Sequence, residues 1–357
     1  MKVSFICPFS LDRPTGTPSR ARTTIRSASG FTETSVVTLL MSSVPEGITV
    51  KSVGICGLIP FTRRALRELQ VIHPDILHGI TTASIPTLFL YKWLVHPRAK
   101  IIFEMHGWAW FEMRGTGRFF LRMTFLLLDL LGLQVADVII VMSHTQKAFV
   151  SRWTFNSGRI LVLWGPVDSL PSFIPASPEG PLVVGYLGNS SWWQGLHYLL
   201  NATILLKDDP SFEFWFAGFE ASDLESIPRI PSIHYKGILK DSEVLPFLRG
   251  CHVLVSPRVL EPVSNLQFPH KLSGYLSAGR PVVVSATNDQ PRIIAEARCG
   301  FVIDPLNAES LVHALKKFSQ LPREEQQKMG ERSSLFAREH FSPEILTTAL
   351  KELYVIE

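Results

Sequence analysis

The chain has 357 residues, 46% of them apolar and 18% charged, with a formal net charge of +4. This excludes wholesale disorder, and the length points to two domains rather than one core. The mild positive balance excludes the dense basic face of a nucleic-acid binder, while suiting anionic substrates or an anionic membrane surface.

Residues 3–7 read as a first buried strand, too short in their apolar part for a signal peptide. The glycine turn Pro14-Thr15-Gly16-Thr17-Pro18-Ser19-Arg20 follows and leads into a helix carrying Arg22 and Arg26. Residues 36–40, 76–78, 101–104 and 138–142 have strand length, and 48–57 reads as an extra strand. Helical patterns over 63–70 and 117–133 lie between them. Strands alternating with helices predict a parallel sheet covered on both faces. The third of these strands ends in Glu104-Met105-His106-Gly107, with Glu112 nearby.

The apolar run 119–133, interrupted by Arg122 and Asp129, is too short to span a bilayer, which needs roughly 20 apolar residues. A buried helix and a peripheral membrane contact both fit it.

Residues 169–180, with their prolines and polar filler, read as a linker. A second alternating series follows: strands at 182–187, 213–217, 233–235, 252–256, 282–284 and 301–303, with helices such as 196–206 and 309–318. The turn after its first strand reads Gly188-Asn189-Ser190-Ser191-Trp192-Trp193-Gln194-Gly195. A strand, a glycine turn and a helix in this order let backbone approach a phosphate. The stretch 257–285, PRVLEPVSNLQFPHKLSGYLSAGRPVVVS, reads as loop, short helix and β-branched strand. Lys271 lies in the first turn of that helix, where a cation opposes the helix dipole unless an anion is bound. Gly274 sits in the helix interior, at a cost of roughly 1 kcal/mol against alanine. Ser342-Pro343 opens a last helix. The four cysteines, Cys7, Cys56, Cys251 and Cys299, are scattered and read as small buried residues of a reducing compartment. No zinc spacing, G-x-S-x-G elbow or P-loop appears.

The 257–285 segment resembles the donor site of retaining glycosyltransferases of family four. The 188–195 turn resembles that family's G-R-x-x-x-x-K-G passage, with Asn189 and Gln194 where Arg and Lys grip the donor diphosphate. Glu104-Met105-His106-Gly107 resembles its HG site, and 136–143 with 159–168 its passage between strand and linker. The resemblance covers nearly the whole chain. It implies a GT-B fold, two Rossmann-like doubly wound α/β domains facing a cleft. Residues 1–168 would form the acceptor-side domain, 169–180 a linker and 181–342 the nucleotide-sugar domain, with 343–357 returning to the first.

The activity implied is metal-independent transfer of a sugar, with retention, from a UDP- or GDP-linked donor to a hydroxyl of a glycan or lipid-linked glycan. No cofactor beyond the donor is implied, and the setting would be cytoplasmic, at the inner membrane face. His106 would orient the donor sugar. The family's first glutamate falls at Leu266 and its second at Gly274, so Glu261 is the candidate to hold the sugar hydroxyls. A solvated loop carboxylate is the other reading of Glu261. Gly16, Thr17, Gly188, Gly195, Arg258 and Lys271 would surround the diphosphate, with the two cations replacing the missing Arg and Lys. The competing expectation is a catalytically inactive, glycosyltransferase-like binding subunit, favoured by those same replacements.

Overall fold

The computed structural model describes every residue except 13–15, 42–45, 115–116, 156, 178, 225–229 and 356–357. Pro14 and Thr15 of the first glycine turn therefore lie outside the described residues. The chain divides into two compact units. One is formed by Met1–Asp168, Leu266–Phe268 and Pro343–Glu357, the other by Ser169–Asn265 and Pro269–Ser342.

The first unit runs β1 (Lys2–Ser10), α1 (Gly16–Ser29), β2 (Glu33–Leu40), β3 (Ile48–Ser52), α2 (Leu58–Ile72), β4 (Ile76–Ile80) and α3 (Ile85–Leu94). It continues with β5 (Lys100–Met105), α4 (Ala109–Glu112), α5 (Phe119–Val135), β6 (Val138–Val141), α6 (His144–Val150) and β7 (Ile160–Val162). Every strand pair is parallel, in the order β3-β2-β1-β4-β5-β6-β7. The inner strands are near-continuous apolar runs because both faces are covered. Phe5, Leu77, Ile102 and Ile140 are fully buried. The chain steps one way from β1 to β3, returns to β4 beside β1, then steps the other way, which makes the β1/β4 junction the switch point.

The second unit runs β8 (Leu182–Leu187), α7 (Leu196–Leu205), β9 (Phe212–Ala217), β10 (Ile233–Tyr235), α8 (Asp241–Gly250), β11 (Val253–Ser256) and α9 (Pro262–Asn265). Then come α10 (His270–Ser277), β12 (Val282–Ser285), α11 (Gln290–Ala297), β13 (Gly300–Ile303), α12 (Ala308–Ser319) and α13 (Arg323–His340). Its six parallel strands are ordered β10-β9-β8-β11-β12-β13, so the switch point lies between β8 and β11. The last helix, α14 (Pro343–Leu353), packs against α1 within the first unit. Two Rossmann-like parallel-sheet units are thus present, as the alternating pattern predicts.

Three local differences stand out. β3 stops at Ser52 rather than running to Gly57. A short strand, β7, closes the first sheet at Ile160–Val162, where its place at the edge leaves Leu161 and Val162 only half-buried. The proline-rich stretch after Asp168 is held along the second unit: Arg249 donates to the Ser172 carbonyl at 2.5 Å and Arg280 to that of Ile174 at 2.8 Å. His252 Nε2 meets the Ser177 carbonyl at 2.8 Å. Polar composition there reflects a peptide whose carbonyls are satisfied by side chains, in the absence of a sheet partner.

Candidate functional site

In the first unit the chain turns at the carboxyl ends of β1, β4 and β5, where open α/β sheets place ligands. β5 carries Glu104, fully buried in an otherwise apolar strand. Arg20 of α1, also buried, donates through Nε to Glu104 Oε1 at 2.8 Å and through Nη1 to the Trp164 carbonyl at 2.8 Å. His106 Nε2 lies 2.6 Å from the same Oε1, and its Nδ1 lies 3.0 Å from Thr17 Oγ1. His78 of β4 approaches Oε2 at 3.3 Å, and its Nδ1 meets the Tyr354 hydroxyl at 2.8 Å. Burial alone would raise the Glu104 pKa. The Arg20 guanidinium and the His106 hydrogen bond overcome it and hold the carboxyl well below its ordinary value.

A carboxylate accepts, so the His106 proton sits on Nε2 and Nδ1 is left to receive the Thr17 hydroxyl. The sequence flagged Thr17, Gly16 and His106; Thr17 and His106 touch, while Gly16 is exposed at the start of α1. Glu104, His78 and Arg20 were missed as one cluster. The available signal was a glutamate inside the apolar run 101–105. Arg22 and Arg26 do not join it: Arg22 donates to the Leu11 carbonyl at 2.5 Å, and Arg26 lies 3.8 Å from Asp168.

In the second unit the loops after β8 and β11, at the switch point, are bound to each other. The Trp193 carbonyl accepts from Val259 N at 3.1 Å and from Ser264 Oγ at 3.2 Å. Gly195 adopts φ +68°, and a Cβ there would collide with the Pro257 carbonyl, so only glycine lets the loops approach this closely. Lys271 folds back over this junction. Its Nζ is cut off from solvent, has no hydrogen-bond partner, and sits 4.1 Å from the centroid of the Tyr186 ring. A Cβ on Gly188 would come within 2.8 Å of that nitrogen, so the glycine turn is what admits the ammonium. Burial, then the charge of Arg258, pushes the Lys271 pKa well below the usual lysine value. Arg258 is itself fully buried, and burial lowers its pKa to about 10. Two cations withdrawn from water against the turn of a βα unit form a seat for an anion.

The remaining candidates divide. Gln194 is half-buried with Oε1 lacking a partner, beside the junction. Asn189 is exposed, its side chain accepting from Ser191 N at 3.1 Å while its carbonyl accepts from the Tyr186 hydroxyl at 2.8 Å. Glu261 is half-buried at the start of α9, its carbonyl capping Ser264 N and Asn265 N, both at 3.0 Å. Leu266 is buried in the first unit's core, so it is an apolar packing residue. Around Gly274 a Cβ would meet only Leu248 Cδ1, at 3.9 Å; no protein group demands glycine there. Tyr186 and Tyr275 were not singled out from the sequence. The Tyr275 hydroxyl takes the Leu187 N–H at 2.9 Å and donates to its carbonyl at 3.0 Å, fixing the end of β8. Among the described residues no group of three or more His, Cys, Asp or Glu side chains is placed to hold a metal ion.

Comparison with known proteins matches this geometry to a fold. Sucrose-phosphate synthase from Thermosynechococcus elongatus superposes with a TM-score of 0.82 at 14% identity, over 99% of this chain and 98% of that one. Anabaena HepE in complex with UDP-glucose gives 0.74 at 13% identity, covering 99% of both chains. WaaG, a glycosyltransferase involved in lipopolysaccharide biosynthesis, gives 0.71 at 15% identity, over 97% of this chain and 99% of that one. No curated protein matches the sequence. Residues 181–320 match the family described as Glycosyl transferases group 1. The chain has the GT-B fold of two Rossmann-like units, and within it segment 181–320 resembles the Glycosyl transferases group 1 family.

Proposed function

We propose that the protein is a glycosyltransferase that moves a sugar from a nucleotide-sugar donor to a hydroxyl of a glycan or lipid-linked glycan, with retention at the anomeric carbon. The observation that carries the reading is the buried ammonium of Lys271, without a hydrogen-bond partner, beside Arg258 at the β8/β11 switch point. An ammonium in that place is costly without an anion, and a diphosphate repays the cost. Anabaena HepE, similar in fold, is described in complex with UDP-glucose.

In the transfer, the bond between the anomeric carbon and the diphosphate oxygen breaks, and a bond to the acceptor oxygen forms. The acceptor proton leaves with the diphosphate. Lys271 and Arg258 meet the charge that develops on the leaving oxygens, and a charge met by preorganised donors in a dry site lowers the barrier most. Gly188 admits the Lys271 ammonium to the turn and Gly195 lets the two loops close on each other, with Gln194 as a neutral donor and Glu261 facing the sugar hydroxyls. In the first unit, Glu104 fixes the tautomer of His106, leaving Nδ1 to exchange Thr17 for a donor hydroxyl. No step in this scheme draws on a metal ion, and the setting is the cytoplasm at the membrane face.

A second reading, a binding subunit without turnover, is favoured by Asn189 and Gln194 in place of a cation pair and by Gly274 in place of a glutamate. Thermal stabilisation by UDP, GDP and their common sugars, followed by release of labelled sugar from the donor that binds, separates the two. Stabilisation by one nucleotide, lost in Lys271→Ala, together with turnover lost in His106→Ala, supports the transferase. Stabilisation without turnover supports the binding subunit, and no stabilisation by any nucleotide removes both.

A further inference from the structure

We infer that His78 and Tyr354 are positioning residues for His106, acting on it through the second carboxylate oxygen of Glu104. The inference rests on the reading of His106 as the group that orients the donor sugar. It carries the site back to a tyrosine 276 residues from His78 in sequence.

Strand register brings the groups together. On the β4/β5 ladder His78 pairs with Ile102, and Ile80 with Glu104. Side chains two residues apart share a face of a sheet, so His78 and Glu104 are diagonal neighbours on one face. α14 packs against α1, and Tyr354, directly after α14, is fully buried with its hydroxyl 2.8 Å from His78 Nδ1. Phe5 stacks on the His78 ring at 4.8 Å between centroids, and Phe31 flanks the Tyr354 ring at 5.9 Å. Both rings are thus held by packing as well as by the hydrogen bond between them.

The donors and acceptors fix the direction of the chain of contacts. Glu104 Oε1 takes Arg20 Nε at 2.8 Å and His106 Nε2 at 2.6 Å. Oε2 faces His78 Nε2 at 3.3 Å, and neither of these buried atoms has a hydrogen-bond partner elsewhere. A carboxylate only accepts, so the His78 proton sits on Nε2 and its Nδ1 receives the Tyr354 hydroxyl. Burial, then the charge of Glu104, holds the Tyr354 pKa well above its ordinary value, so the hydroxyl keeps the proton it donates. The last torsion of a glutamate is soft, and two donors on Oε1 alone leave the carboxylate free to pivot about that oxygen. His78 on Oε2 stops the pivot and, with it, the drift of the His106 ring away from Thr17. Packing does not require this cluster, because well-packed apolar residues in place of buried polar partners are often neutral or stabilising.

The test is imidazole nitrogen NMR, with donor turnover measured beside it, on the full chain and on Tyr354→Phe, His78→Phe and His78→Gln. Tyr354→Phe removes only the hydroxyl. His78→Phe keeps a ring against Phe5 and removes the donor to Oε2, which His78→Gln returns. The native chain should show His106 as a single Nε2–H tautomer. In Tyr354→Phe and His78→Phe that signal should become a mixture of the two tautomers. For His78→Phe kcat should fall about tenfold, the scale of one lost buried hydrogen bond, with KM for the donor unchanged. His78→Gln should recover both the signal and the rate. An unchanged His106 signal in Tyr354→Phe and His78→Phe overturns the inference, whatever happens to the rate. So does a loss in His78→Gln equal to that in His78→Phe, which marks a purely structural role. Melting temperature registers any variant that fails to fold, and Tyr354→Phe decides if His78→Phe does. A native chain that turns over no donor removes the functional reading alone, since the tautomer of His106 is read without substrate.

Discussion

At Lys271 a single ammonium sets a measurable sign. Its pKa is lowered in the folded chain, so the unfolded chain binds the extra proton. The stability lost through its burial is therefore recovered as pH rises from that lowered value toward the ordinary 10.5. Lys271→Met is accordingly expected to leave the melting temperature unchanged or raise it. It should also abolish nucleotide stabilisation, which for a ligand at 100 times its Kd is about 2.7 kcal/mol. A bound diphosphate favours the charged form of Lys271 and pushes its lowered pKa back up; calorimetry in buffers of different ionisation enthalpy reads any proton uptake on binding directly. Glu104 behaves in the opposite sense. Its lowered pKa contributes stability above the ordinary glutamate range that is lost as pH falls. Glu104→Gln breaks the buried pair with Arg20 and should cost about 3–5 kcal/mol, checked by urea unfolding at neutral pH. Lys271 was legible from its odd place in a helix first turn. Glu104 was passed over because a strand glutamate beside a histidine declares no partner until α1 brings Arg20 to it.

Among the elements, α5 and α10 carry the sharpest consequences. In α5, burial raises the Asp129 pKa to about 7, against the hydrogen bonds from Thr82 and Ala109 that favour its charge. A raised carboxyl pKa means that Asp129 lends stability below the unfolded value near 3.8, lost as pH climbs through about 7. Asp129→Asn should flatten that slope and stabilise the chain at pH 8 by an amount of order 1–3 kcal/mol, seen in melting curves across pH. In α10, Gly274→Ala fills open space and should stabilise the fold by roughly 0.5–1 kcal/mol. If donor binding weakens at the same time, a ligand approaches the backbone at that point; unchanged binding would mean the glycine has no part in the site. Periodicity announced both helices, and the strands β8 and β10 fall at the very residues their apolar runs mark. The short edge strand β7 escaped, since three residues at a sheet edge have too little apolar pattern to read.

For the molecule as a whole, two separate cores, one built around Phe103, Leu133 and Ile139 and the other around Val184, Phe214 and Leu315, imply that unfolding is not a single two-state event. Scanning calorimetry should resolve two transitions, with nucleotide raising the one that belongs to the second unit. A single transition moved as a whole would mean the cores unfold together. By itself the sequence determined the doubly wound architecture, most of its strands and the glycine turn at 188–195. Those properties follow from local periodicity and backbone freedom, which each segment carries alone. Only the tertiary structure decided that Lys271 and Arg258 are buried together and that Glu104 binds Arg20 and His106. Burial and charge pairing depend on which distant segments a residue meets, and no single segment holds that information.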